Sequence, residues 1–165
     1  MRQVLLKCFH PSDLVIPWHE RRIRVPHSFV EFTEITHLEL AHFTSSAVLP
    51  AILRFGIQPR AKSTRGIEDG LATEPNDVYL LSGVDKHYLD RAVNAHGGVG
   101  VAVIVQVPVS MLRADINLFV PGTFERAGVL NALHQSLLAG ACSHRGPIAP
   151  ASIFAVVDNT GEPLR

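Results

Sequence analysis

The run from Gly98 to Val109, GVGVAVIVQVPV, constrains the fold more than any other stretch. Valine occupies positions 99, 101, 103, 105, 107 and 109, with small or apolar residues at most positions between. β-Branched side chains at every second position, without a polar alternate face, predict a strand covered on both sides near the centre of a sheet. Pro108, which lacks an N–H, should mark its end. A chain of 165 residues, 47 % of them hydrophobic, can surround such a strand with one domain's worth of core. Its formal net charge is zero, which excludes the overall basic footprint of a dedicated nucleic-acid binder but leaves room for a local groove of Arg and Lys. Nine histidines carry the chain to net positive charge as pH falls towards 6. Cys8 and Cys142 are too few for a disulfide framework, so a reducing cytoplasm is the simpler expectation. The opening MRQVLLKCFHPSD breaks its apolar run at Lys7 and reads as neither signal peptide nor membrane span. Delivery into a target cell by a machine needing no such signal stays compatible with it.

The second informative stretch is Leu38 to Pro59, LELAHFTSSAVLPAILRFGIQP. LELAHF reads as a strand, and the hydroxyls of TSS are suited to capping a following helix. Val48, Leu49, Ile52 and Leu53 recur at helical spacing, and Gly56 stands where a residue of positive φ ends a helix. A strand thus delivers His42 and Thr44 to a strand–helix junction, a place suited to meeting a polar or anionic ligand.

Elsewhere the pattern is plainer. Residues 1–37, broken by Pro11, Pro17 and Pro26, read as an N-terminal extension packed on a domain over 38–160, with 161–165 as a tail. After Pro59, RAKSTRGIEDGLATEPND has no periodicity and exceeds the usual connection length. Arg60, Lys62 and Arg65 suit either a solvated loop or a flap facing a diphosphate. VYLLS is a short strand; Ser82 or Asp85 caps a helix bearing Tyr88, Leu89, Ala92 and Val93, stopped at His96-Gly97-Gly98. Met111 to Pro121 is a connection with a possible strand at INLFV. Glu125 to Gly140 is a helix with Val129, Leu130, Leu133 and Leu137 inside, and ASIFAVVD is a last strand. The order of elements predicts α+β rather than a doubly wound sheet.

Three segments resemble one family in its own order. HFT followed by LPAILRFGI is similar to the first motif of ADP-ribosyltransferases of the His-Tyr-Glu type. DVYLLSGVDKHYLDRA resembles their Tyr motif, and RGPIAPASIFAV the segment that follows their catalytic Glu. The resemblance spans roughly 38–157 and implies a single-domain α+β fold with a central split β-sheet flanked by short helices. It implies transfer of ADP-ribose from NAD to a macromolecule, protein or nucleic acid, with release of nicotinamide and no metal. Such domains are often toxins or effectors, which implies an antitoxin or immunity protein as a possible partner. Carried over by position, His42, Thr44, Tyr79, Ser82, Tyr88 and Arg65 are the expected NAD contacts.

The acid departs from the pattern. Where the family places Glu, this chain reads Ala141-Cys142-Ser143-His144-Arg145, without a carboxylate. Glu125 on the preceding helix and His144 are the catalytic candidates, with Asp115 further away. Two other readings stay open: an inert module of the same fold that binds NAD or a partner, and a tRNA 2′-phosphotransferase-like enzyme, which the neutral charge disfavours. His134, Cys142 and His144 are irregularly spaced for a metal, and Cys142 reads as a buried structural thiol before a nucleophile.

Overall fold

The structure is a computed structural model, and it describes residues 25–59, 76–82, 86–115, 126 and 128–158, with backbone alone for 86–89. Expectations for residues 1–24, the 60–75 loop, Asp85, INLFV and Glu125 lie outside the described residues.

The described chain is mixed α+β: a six-stranded antiparallel sheet with a few short helices. In chain order these are α1 (Phe29–Thr33), β1 (His37–Ser45), α2 (Leu49–Phe55), β2 (Asp77–Leu81), α3 (Lys86–His96), β3 (Gly100–Pro108), β4 (Leu112–Ala114), α4 (Val129–Ala139), β5 (Ala141–Arg145) and β6 (Ile153–Asp158). Across the sheet the strands run β4-β5-β2-β1-β3-β6.

The valine-rich run is β3, flanked by β1 and β6, and Val101, Ala102, Val103, Ile104 and Val105 are all essentially unexposed. Burial on both faces explains why no polar alternation was visible in it. Its first valine, Val99, falls before the strand and is exposed, and Val109 begins the 3-10 turn that follows Pro108. β1 pairs with β3 along its whole length, from His37 opposite Pro108 to Ser45 opposite Gly100.

That pairing overturns the expected helix cap. The strand continues through Thr44 and Ser45, the cap position of α2 is Val48, and no side chain caps the helix. The serines bind the α3–β3 turn instead. Ser45 donates to the Gly97 carbonyl and accepts from the Ala47 amide, and Ser46 Oγ accepts from the Val99 amide at 3.0 Å. Gly56 ends α2 with φ of +77°, as the sequence requires, and Ile57 then forms an antiparallel bridge to Ile148. Segments far apart in sequence are joined there, the end of the α2 stretch and the RGPIAP turn.

α4 packs on β4 and β5, but its inner stripe differs from expectation. Val129 and Leu130 are exposed, while Ala132, Leu133, His134, Ser136 and Leu137 are buried. The helix begins only at Val129, after Gly128 at φ +75°, so its first turn carries little packing. Ser136 tightens the helix–strand joint by donating to the Ala141 carbonyl at 2.6 Å and accepting from the Asp115 amide at 2.8 Å. β4 and β5 were not foreseen: β4 is three residues long, and β5, ACSHR, buries polar Ser143 and His144.

Residues 25–36 are anchored on α4. Phe32 of α1 is wholly buried and stacks on the His134 ring at 4.7 Å, and His134 Nε2 donates to the Pro26 carbonyl at 2.6 Å. Among the described residues no helix is long and apolar enough to cross a membrane.

Candidate functional site at the seam of the sheet

The sheet has two unlike joints beside β1. Towards β3 the ladder is continuous; towards β2 a single residue pair is in register, Ala41 with Leu81. Within the one six-stranded sheet, the β2–β1 joint is thus the least paired, a seam between β4-β5-β2 and β1-β3-β6. Where the next backbone bonds of a regular ladder would fall, His42 inserts its ring, and Nδ1 lies 3.1 Å from the Tyr79 carbonyl oxygen. A carbonyl only accepts, so Nδ1 carries the proton and donates it.

Strand alternation sorts the remaining residues. Opposed residues of an antiparallel pair share a face. Counting from Ala41 and Leu81, Tyr79 falls on the face of Ala41 and Phe43, and His42 and Thr44 fall on the other. The seam thus brings His42 to the backbone of Tyr79, while the two side chains belong to opposite faces. Thr44 is buried, and its hydroxyl makes no hydrogen bond to any described residue. Ser82 is buried with its hydroxyl committed to the Leu137 carbonyl, so it fastens β2 to α4 and caps no helix. His144 lies opposite Val78 and Leu112, away from the Tyr79 face, and its Nδ1 donates to the Gly146 carbonyl at 3.1 Å. Tyr88 is on α3, where the backbone alone is described, and Arg65 and Glu125 lie outside the described residues.

The Tyr79 face of the β4-β5-β2 half is polar. Ser143 is paired with Tyr79 and Arg113, and Asp77 with Arg145, so all five residues share it. Ser143 donates to Asp77 Oδ2 at 2.8 Å, and Arg113 Nη1 stands 3.9 Å from the same oxygen. The Asp77 side chain is 3 % exposed, and that of Arg113 is 44 % exposed. Nothing in the local sequence singles out the Asp77 carboxylate. It opens the Tyr motif, two residues before Tyr79, but strand pairing alone brings it to Ser143, at the position where the family's acid was sought.

Cys142 sits on the opposite face, fully buried, and burial together with the negative charge of Asp115 pushes its thiol far above the usual range. It is therefore a packing residue and no nucleophile under ordinary conditions. Among the described residues no cluster of His, Cys, Asp or Glu is arranged to hold a metal ion.

No family model matches the chain, and no curated protein matches it.

Proposed function

We propose that the protein is an NAD-dependent ADP-ribosyltransferase whose site lies along the β1–β2 seam, on a split-sheet fold of that superfamily. The observation that carries this reading is the seam itself. The two segments that resemble the first two family motifs meet there through His42 and the Tyr79 carbonyl instead of a backbone ladder. A joint held by one residue pair, with a phenol on one face and an imidazole and a buried hydroxyl on the other, is a place where a dinucleotide could be received. On the Tyr79 face the phenol ring can stack on the nicotinamide, while His42, from the other face, holds that strand through the Tyr79 carbonyl and the buried Thr44 hydroxyl lies beside it. The bridge between Ile57 and Ile148 supports the reading further, because it joins the first and third resembling segments at one end of the sheet.

On this reading the bond between the nicotinamide nitrogen and the ribose carbon breaks, and its electron pair leaves with nicotinamide. The acceptor's lone pair forms the new bond to that carbon, and its proton passes to solvent. The acceptor is a macromolecule, protein or nucleic acid, and a toxin or effector role with a neutralising partner follows from the family resemblance alone.

Nicotinamide release from NAD, with and without cell lysate as acceptor, tests the activity. Calorimetry of wild type, His42→Ala and Tyr79→Ala tests the site, each variant being expected to lose at least tenfold in affinity while melting within a few degrees of wild type. Absence of both binding and release by wild type at millimolar NAD would sink the reading.

A further inference from the structure

The Asp77 carboxylate is a buried charge with half of its hydrogen-bonding capacity used. Oδ2 takes the Ser143 hydroxyl and faces Arg113, while Oδ1 has no hydrogen-bond or ion-pair partner among the described residues. Asp77 is not terminal debris of a strand: Asp77 and Arg145 are in register, and the Asn76 carbonyl accepts from Gly146. Burying a carboxylate is costly, and an unpaired buried oxygen needs a reason such as a catalytic role or a bound group. Arg113 does not supply one. At 3.9 Å it faces Oδ2, beyond hydrogen-bond distance, and leaves Oδ1 unfilled.

We propose that Asp77 is the carboxylate of the site, with Oδ1 the acceptor for a ribose hydroxyl of the ligand and its charge facing the cation that forms on that ribose. The proposal rests on the transferase reading and supplies the acid that the Ala141–Arg145 strand lacks. Breaking the glycosidic bond leaves positive charge on the ribose, and a fixed negative charge beside it lowers that barrier more than it strengthens ground-state binding. Asp77 has the required fixity, because Ser143 holds Oδ2 and the β2–β5 ladder holds the backbone on both sides of Tyr79. It also shares a face with Tyr79, two residues along the same strand, so a ring stacked on Tyr79 brings its attached sugar towards Asp77. Ser143 is a positioning residue in this arrangement and touches no ligand itself.

Asp77→Asn preserves shape and removes the charge. The expected result is nicotinamide release down by about 10²–10³, with NAD affinity by calorimetry within a few-fold of wild type and the melting temperature nearly unchanged. Ser143→Ala leaves the charge in place and frees Oδ2; its expected effect is roughly a tenfold fall in kcat with KM unchanged, from a misplaced carboxylate. That variant decides the matter if Asp77→Asn folds poorly. A wild type that releases nicotinamide while either well-folded variant keeps full activity overturns the role of Asp77 and leaves the transferase reading standing. A wild type that neither binds nor cleaves NAD, with lysate supplied, overturns both.

Discussion

Gly56 offers the sharpest test of how the resembling segments are joined. Its φ of +77° with ψ of −179° lies in a region essentially reserved for glycine, where another residue costs about 1–3 kcal/mol. Space forbids a side chain as well. A Cβ there would stand 2.1 Å from the Ile148 carbonyl oxygen, against the 3.4 Å at which ordinary contact begins, and the obstacle is backbone. Relief requires the two segments to part, which stretches both bridge bonds, Ile57 N to Ile148 O and Ile148 N to Ile57 O, each 2.9 Å long. Each is worth about 1 kcal/mol net. Gly56→Ala is therefore expected to destabilise by roughly 3–5 kcal/mol, a large part of a small domain's stability. Gly97→Ala and Gly128→Ala are the controls: both have positive φ, 71° and 75°, and open space where the Cβ would go, and Gly128, with ψ of 152°, shares the region of Gly56, so backbone strain alone should cost about 1–3 kcal/mol. Urea unfolding of the three variants separates the terms. A Gly56→Ala variant no worse than Gly97→Ala would refute the close approach of Gly56 to Ile148, and with it the junction.

Other expectations concern the core and the buried titratable groups. Val103→Ala, at a position with no exposure in the strand between β1 and β6, should lose about 2–3 kcal/mol in chemical denaturation; a neutral result would remove β3 from the sheet's centre. In a Cys8→Ser background, Cys142 should resist iodoacetamide until the protein unfolds, and rapid labelling of the native state would contradict its burial. Because burial raises the folded thiol's pKa above its ordinary value of 9.0, its contribution to stability is complete below pH 9 and declines above it. Unfolding free energy should then fall by about 1.4 kcal/mol per pH unit more in this background than in Cys8→Ser/Cys142→Ala. His134→Ala removes the bond to Pro26 and the stack on Phe32, so limited proteolysis should cut within residues 25–36 sooner than in wild type; unchanged cleavage would mean the segment is held without it.

How much of this was legible follows from which forces act locally. β3 was readable because two-sided burial leaves an unbroken apolar alternation, and the end of α2 because only glycine tolerates the backbone of Gly56. α3 stopped at its glycine pair for the same reason, at φ values of 71° and 73°. The strands β4 and β5 were not readable, since their existence depends on pairing with partners many residues away and their sequences bury serine and histidine. The serines after β1 misled because a hydroxyl near a helix start suits a cap, whereas the long β1–β3 ladder carried Ser45 past that point. The same division governs the candidate site. His42 and Tyr79 stand out as candidates in their segments, but the face on which each side chain falls is fixed by the Ala41–Leu81 register, which no local pattern encodes. Asp77 shows this most fully. In sequence it is a polar residue closing a loop; its partners Ser143 and Arg113 come from two strands that the pattern did not reveal, so its burial and its unfilled oxygen exist only once those strands pair. Antiparallel pairing, and not sequence distance, decides which carboxylates stand beside a given strand position, and here it sets Asp77 beside Ser143.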